Sequence, residues 1–159
     1  MNSRELLDAL SVAERLKDTT RHCYTSKGRH ESVAEHSWMM TLMAFFMRDE
    51  FPNADMDKVI RMCIIHDLGE CFTGDIPTFS KEQVHEDIEE NLLFNWIETL
   101  PAYYAEEMKA LYNEMAERET VEAKISKIFQ TPFLRPPSLT IRFWSESCLR
   151  YRCTCHFPS

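Results

Sequence analysis

Ser32 to His66, SVAEHSWMMTLMAFFMRDEFPNADMDKVIRMCIIH, reads as two helices separated by a proline. Ser32 and Glu35 have capping-box spacing, so the first helix opens there and is predicted to run to Phe51, where Pro52 stops it. Its inward stripe is His36, Met39, Met40, Met43 and Met47, and methionines at helical spacing are most simply core filler. The second helix is predicted from about Asp57, through Val59, Ile60, Cys63 and Ile64, to near Gly69. Two polar features interrupt this apolar design. His36 faces inward, where an unpaired polar group is costly, and His66-Asp67 closes the second helix.

Working outward, the same periodicity gives four more helices. One starts near Asn2, where Asn2 and Glu5 again make a capping box, with Leu6, Leu10, Ala13 and Leu16 as its apolar stripe. Residues 18–31 are polar and irregular, with Gly28 as a turn. Residues 70–80 read as a loop holding Gly74 and Pro77. Ser80 and Gln83 then cap a helix with Val84, Ile88, Leu92 and Asn95 on one side, ended by Pro101. Another spans roughly 102–117 on Tyr104, Met108, Leu111 and Met115, and the last begins near Thr120 with Val121, Ile125 and Ile128. Three glycines in 159 residues leave little turn chemistry for a sandwich or barrel. The predicted fold class is all-α, with about six helices.

Composition divides the chain at about Lys127. Of 26 acidic residues only Glu146 lies beyond it, whereas Arg135, Arg142, Arg150 and Arg152 make the last segment basic. Helical periodicity also stops there, so residues 1–127 are read as one domain and 128–159 as a divergent tail. A net charge of −8 argues against a nucleic-acid polymer as partner, because phosphate backbones are held by basic surface. It leaves room for a small phosphorylated substrate. No apolar run is long enough to cross a bilayer and no signal peptide opens the chain, so no membrane partner and a cytoplasmic location are expected. The six cysteines then read as reduced thiols, and Cys153-Thr154-Cys155-His156 lacks zinc-site spacing.

Chemistry concentrates around His66. Imidazole nitrogen with carboxylate oxygen suits a borderline divalent metal ion. Neighbouring helical residues point about 100° apart, so His66 and Asp67 reach one ion only at a helix end, which Gly69 supplies. An inward His is more often a hydrogen-bonded core residue than a ligand. What shifts the balance is the block His66-Asp67-Leu68-Gly69-Glu70-Cys71-Phe72-Thr73-Gly74-Asp75-Ile76-Pro77-Thr78, which puts two more carboxylates, Glu70 and Asp75, on a loop. The run Glu86-Asp87-Ile88-Glu89-Glu90 reads as a solvated helix face, and Trp38, Tyr103 and Tyr104 as packing or dimer contacts.

Glu31-Ser32-Val33-Ala34-Glu35-His36, followed by that block, resembles the YfbR-like 5′-deoxynucleotidases of the HD superfamily. The likeness runs from the first helix to about Lys127. It implies a compact HD-domain helical bundle, a homodimer, and removal of phosphate from deoxynucleoside 5′-monophosphates. It implies one divalent metal ion (Mn, Co, Fe, Ni, Zn or Mg) on His36, His66 and Asp67, with Glu70 and Asp75 as catalytic acid–base groups in either order. It also implies that Arg21 contacts the substrate phosphate. Another HD hydrolase, acting for example on guanosine tetraphosphate, is the near alternative.

One departure stands out. The resemblance implies a fourth ligand, an Asp, on the last helix, in a stretch like E-A-K-x-x-K-A-L-D-K. Glu122-Ala123-Lys124-Ile125-Ser126-Lys127 matches, but Gln130 stands at the Asp position. A neutral amide oxygen is a weaker donor, and the site loses a negative charge. That change motivates a second reading: an inactive nucleotide- or partner-binding HD protein.

Overall fold

Side-chain caps start four of the seven helices in the computed structural model, which describes residues 1–76 and 82–130. Asn2 accepts from Arg4 N and Glu5 N at 2.9 Å to open α1, Ser3–Ala13, while Glu5 returns to Asn2 N at 2.7 Å. A 3₁₀ turn, Glu14–Lys17, brings Leu16 into the core. Residues 18–31 are more ordered than their polarity suggested: β1, Thr20–Tyr24, and β2, His30–Ser32, form an antiparallel hairpin with Thr20 opposite Ser32 and Tyr24 opposite His30. Gly28, at φ +81°, makes the turn.

Ser32 caps α2, Val33–Phe46, with the predicted capping box to Glu35. The helix ends before Phe51, because Arg48–Glu50 tightens into 3₁₀ and Phe51 leaves the helical region at φ −124°, ψ 64°, as the residue before Pro52 must. Asp55 caps α3, Met56–Ile65. The predicted loop after it contains a single helical turn, α4, Glu70–Thr73. Then come α5, Gln83–Ile97, α6, Ala102–Glu117, and α7, Val121–Phe129. Glu82 rather than Ser80 is the N-cap of α5, with His85 Nδ1 accepting from Glu82 N at 3.2 Å. Helix α7 carries on past Lys127 to Phe129, into the segment read as a 128–159 tail; Ser80 and residues 131–159 of that tail lie outside the described residues.

The buried residues form two clusters. Leu16, Val33, Leu68, Cys71, Leu93, Ile97 and Ala105 make one, and Met40, Ala44, Met56, Val59, Cys63, Ile125 and Phe129 the other. Helix α2 spans both, giving Val33 to the first and Met40 and Ala44 to the second. The α3–α4 corner does the same with Leu68 and Cys63. His36 and His66 therefore sit at the seam. Met39 departs from the predicted inward stripe and is 50% exposed, since the row His36, Met40, Met43, Met47 turns it to the edge. Leu6 and Leu10 are likewise exposed.

Candidate metal centre

His66 follows the last residue of α3, and the backbone winds tightly through the next turn, with Leu68 N donating to Ile65 O and Glu70 N to Asp67 O, each at 3.0 Å. This is the helix-end distortion that lets two neighbouring side chains converge. The corner is braced from α6, where the Tyr112 hydroxyl donates to Ile65 O. Gly69 lies against α5: a Cβ there would come within 2.7 Å of Glu89 Cγ. His66 Nδ1 is 2.8 Å from Cys63 O, and a carbonyl only accepts, so Nδ1 carries the hydrogen. Nε2 is the ring nitrogen left to face the site. It is buried without a hydrogen-bond partner, yet lies 2.8 Å from Asp67 Oδ2. Two electron-rich atoms that close call for a proton or a cation between them.

His36, the fourth residue of α2, approaches from the other side. One ligand atom each from His36, His66 and Asp67 lies within 4.8 Å of the others, and the two imidazole centroids are 5.4 Å apart. Burial lowers the His36 pKa to about 4, with Arg21 and His66 pushing the same way and Asp67 opposing them. The ring is thus neutral at pH 7, the state in which imidazole binds metals. Arg21, on β1, places Nη1 3.4 Å from Asp67 Oδ2 and Nε 3.8 Å from Glu31 Oε2. Burial alone would raise the Asp67 pKa, but His66, His36 and Arg21 overcome it and hold the carboxyl below its ordinary range. The donor set, two imidazole nitrogens and a carboxylate with His66 Nε2 buried and without a hydrogen-bond partner, fits a divalent metal ion.

The remaining two predicted carboxyls flank this group. Glu70, in α4, is 8% exposed, and its Oε2 has no hydrogen-bond partner. Burial pushes its pKa up, the Asp67, Asp75 and Glu89 carboxylates push it further, and Arg21 only partly offsets them. Asp75 follows Gly74, whose φ of +79° ends the α4 turn, and carries a buried Oδ2 3.9 Å from His22 Nδ1. Of the six residues singled out from the sequence, Arg21 lies on the hairpin, His36 on α2, His66, Asp67 and Glu70 at the α3–α4 corner, and Asp75 just after α4.

The family described as HD domain matches residues 13–131. The chain belongs to that family. Among similar proteins, 5′-deoxynucleotidase HDDC2 of Homo sapiens is 32% identical over 130 residues, which cover 79% of this chain and 62% of the relative. The 5′-deoxynucleotidase hdd1 of Schizosaccharomyces pombe is 31% identical over 133 residues, covering 79% and 66%. A predicted metal-dependent phosphohydrolase from Magnetospirillum magnetotacticum superposes with a TM-score of 0.68 at 30% identity, over 79% of this chain and 66% of that one. An HD-domain phosphohydrolase from Listeria innocua gives a TM-score of 0.62 at 25% identity, over 79% and 64%. The chain spans about 62% of the length of the human relative.

The HD domain also places residues at the site that the sequence reading did not single out. Glu89 sits within a run read as a solvated face, yet its carboxylate lies 3.3 Å from Thr73 Oγ1 and packs on Gly69. Tyr112 braces the corner and Glu31 faces Arg21. For Glu31 the signal was present in the quoted motif; for the other two only the packing reveals it. On the far side, Gln130 lines a cavity of about 310 Å³ together with His66, Glu89, Tyr112 and Ser126. Its amide oxygen accepts from Lys127 Nζ at 3.0 Å. Among the described residues no helix is long and apolar enough to cross a membrane.

Proposed function

We propose that this chain is a metal-dependent phosphohydrolase that removes phosphate from deoxynucleoside 5′-monophosphates. The observation that carries the reading is the convergence of His36, His66 and Asp67 on one point, with Arg21 3.4 Å from the same Asp67 oxygen. Those three side chains would hold the ion, which supplies Lewis-acid polarisation of a phosphoryl oxygen and acidifies water. Arg21 binds the phosphate dianion, for which its planar fork is matched in geometry and charge. Glu70 and Asp75 move protons: one accepts from the attacking water, and the other donates to the 5′-oxygen as the phosphorus–oxygen bond breaks. The names of the human and yeast relatives support the substrate class.

The test is phosphate release from a panel of deoxy- and ribonucleoside monophosphates and guanosine tetraphosphate, with Mn or Co added and then chelated. Deoxynucleoside monophosphates should be hydrolysed best, and chelator should stop the reaction. Hydrolysis indifferent to chelator, or unchanged in Asp67→Ala, defeats the metal reading. Preference for another nucleotide keeps the mechanism and replaces the substrate.

Gln130 favours a second reading, a nucleotide-binding HD protein without turnover, because an amide engaged by Lys127 lines the cavity beside His66 where the family resemblance implies a ligand carboxylate. Tight nucleotide binding without phosphate release under every metal would establish it. The exposed side chains Leu6, Leu10, Val84, Ile88 and Leu92 support a homodimer, which the light-scattering mass of the purified chain tests.

A further inference from the structure

We infer that Glu31 is a positioning residue that orients both His36 and Arg21 through a single carboxylate oxygen. The inference rests on reading His36 as a metal ligand and Arg21 as the phosphate-binding cation. Glu31 Oε2 lies 3.8 Å from Arg21 Nε and 4.0 Å from His36 Nδ1. These are ion-pair separations, longer than hydrogen bonds. Arg21 Nε is buried and has no hydrogen-bond partner, so the guanidinium has a donor ready for that oxygen.

The backbone fixes this arrangement from two directions. Glu31 is the central residue of β2, and pairing of β2 with β1 sets it beside Arg21. The next residue, Ser32, is the N-cap of α2, so the same strand end determines where His36 emerges one turn later. Of the two acidic residues in the Glu31–His36 motif, Glu35 is already committed. It pairs with Arg29 at 2.5 and 2.8 Å and completes the capping box at Ser32 N. Glu31 instead turns toward the site, with its side chain only 25% exposed. Burial raises its pKa and Arg21 works against that rise, so the carboxylate and the guanidinium stabilise each other's charge.

The chemical consequence lies in the imidazole tautomer. A neutral ring carries one N–H, and a carboxylate facing Nδ1 selects the form with hydrogen there and the lone pair on Nε2. A carboxylate behind a metal-binding histidine fixes ring orientation and typically contributes about 10–100-fold in affinity. Here the same oxygen also restrains the phosphate-binding arginine, so one substitution should loosen both metal and substrate.

Two measurements on the full chain test this. Nitrogen–proton correlation spectra of the metal-free protein at pH 7 read the His36 tautomer directly, and titration with Co reads metal affinity. The wild type should show His36 protonated at Nδ1. Glu31→Ala should mix the tautomers and weaken Co binding about 10–100-fold. Glu31→Gln, whose amide oxygen still accepts, should keep the tautomer and lose less; it carries the comparison alone if the alanine variant fails to fold. Wild-type tautomer and wild-type Co affinity in the Glu31 variants overturn the inference, while loss of Co binding in His36→Ala within the same series leaves the metal site standing. Full Co affinity in His36→Ala overturns both together.

Discussion

The site has two flanks built to different standards. On one, the His66–Asp67 corner is held by Tyr112 on the preceding carbonyl, by Cys63 O on His66 Nδ1, and by Glu89 packed on Gly69. On the other, α7 reaches the same cavity with Gln130, whose side-chain oxygen is engaged by Lys127. The first flank leaves His66 Nε2 and two carboxyl oxygens buried without hydrogen-bond partners, whereas on the second the Gln130 amide oxygen is paired with Lys127 in a cavity also lined by Glu86, Glu90 and Arg118. Preorganised groups with unmet valence mark where chemistry is expected.

The comparison breaks most violently if α7 is unmoored. Phe129 is 1% exposed and packs in the cluster with Met40, Val59 and Cys63. Phe129→Ala should cost about 3–5 kcal/mol of stability in urea unfolding. A loss below about 1 kcal/mol, at the surface level, would show that the α7 flank is not packed as described.

Next in size is His66→Ala. Removing a ligand should weaken Co binding by more than about 100-fold, beyond the usual cost of losing a group behind the ligands. Gln130→Ala in parallel should leave affinity almost unchanged, and equal losses in the two variants would erase the difference between the flanks.

The pH dependence sharpens the same contrast. The Glu70 carboxyl is pushed from 4.5 up to about 9 by burial and by Asp67, Asp75 and Glu89. A raised folded-state pKa favours the protonated native form, so its contribution is complete below about 4.5 and is lost as pH rises towards 9. The urea midpoint of metal-free protein should therefore fall between pH 5 and pH 9. Glu70→Gln should flatten that slope, and an unchanged slope would place the strain elsewhere.

The smallest effect is a gain. Gln130→Asp puts a carboxylate on the α7 flank and should tighten Co binding roughly tenfold. Unaltered affinity would mean that residue 130 does not reach the ion.

How much of this could be read from the sequence depended on whether a signal was local. Pro101 and a clean apolar row set α6 at Ala102–Glu117, the span that periodicity predicted. The capping boxes at Asn2 and Ser32 were legible for the same reason. The hairpin was not, because Thr20–Tyr24 and His30–Ser32 are short and polar, without apolar alternation. Glu89 looked like any charge on an acidic face until Gly69 was seen beneath it. His36 and Glu70 stand in the quoted motifs and Arg21 came with the family resemblance, but nothing in their spacing tells that all three act on Asp67.

The seam between the two clusters carries a consequence for how the chain responds to ligands. His36 leaves α2 between Val33 of one cluster and Met40 of the other, and the α3–α4 corner is shared in the same way. Anything that binds only the native site adds its binding free energy to the folded state, by about 2.7 kcal/mol at a hundredfold excess over Kd. At a seam, that free energy clamps two bodies together rather than thickening one. An ion held at this position would tie residues beside both clusters to one point, so its removal would be felt as a loss of stability of the fold as a whole.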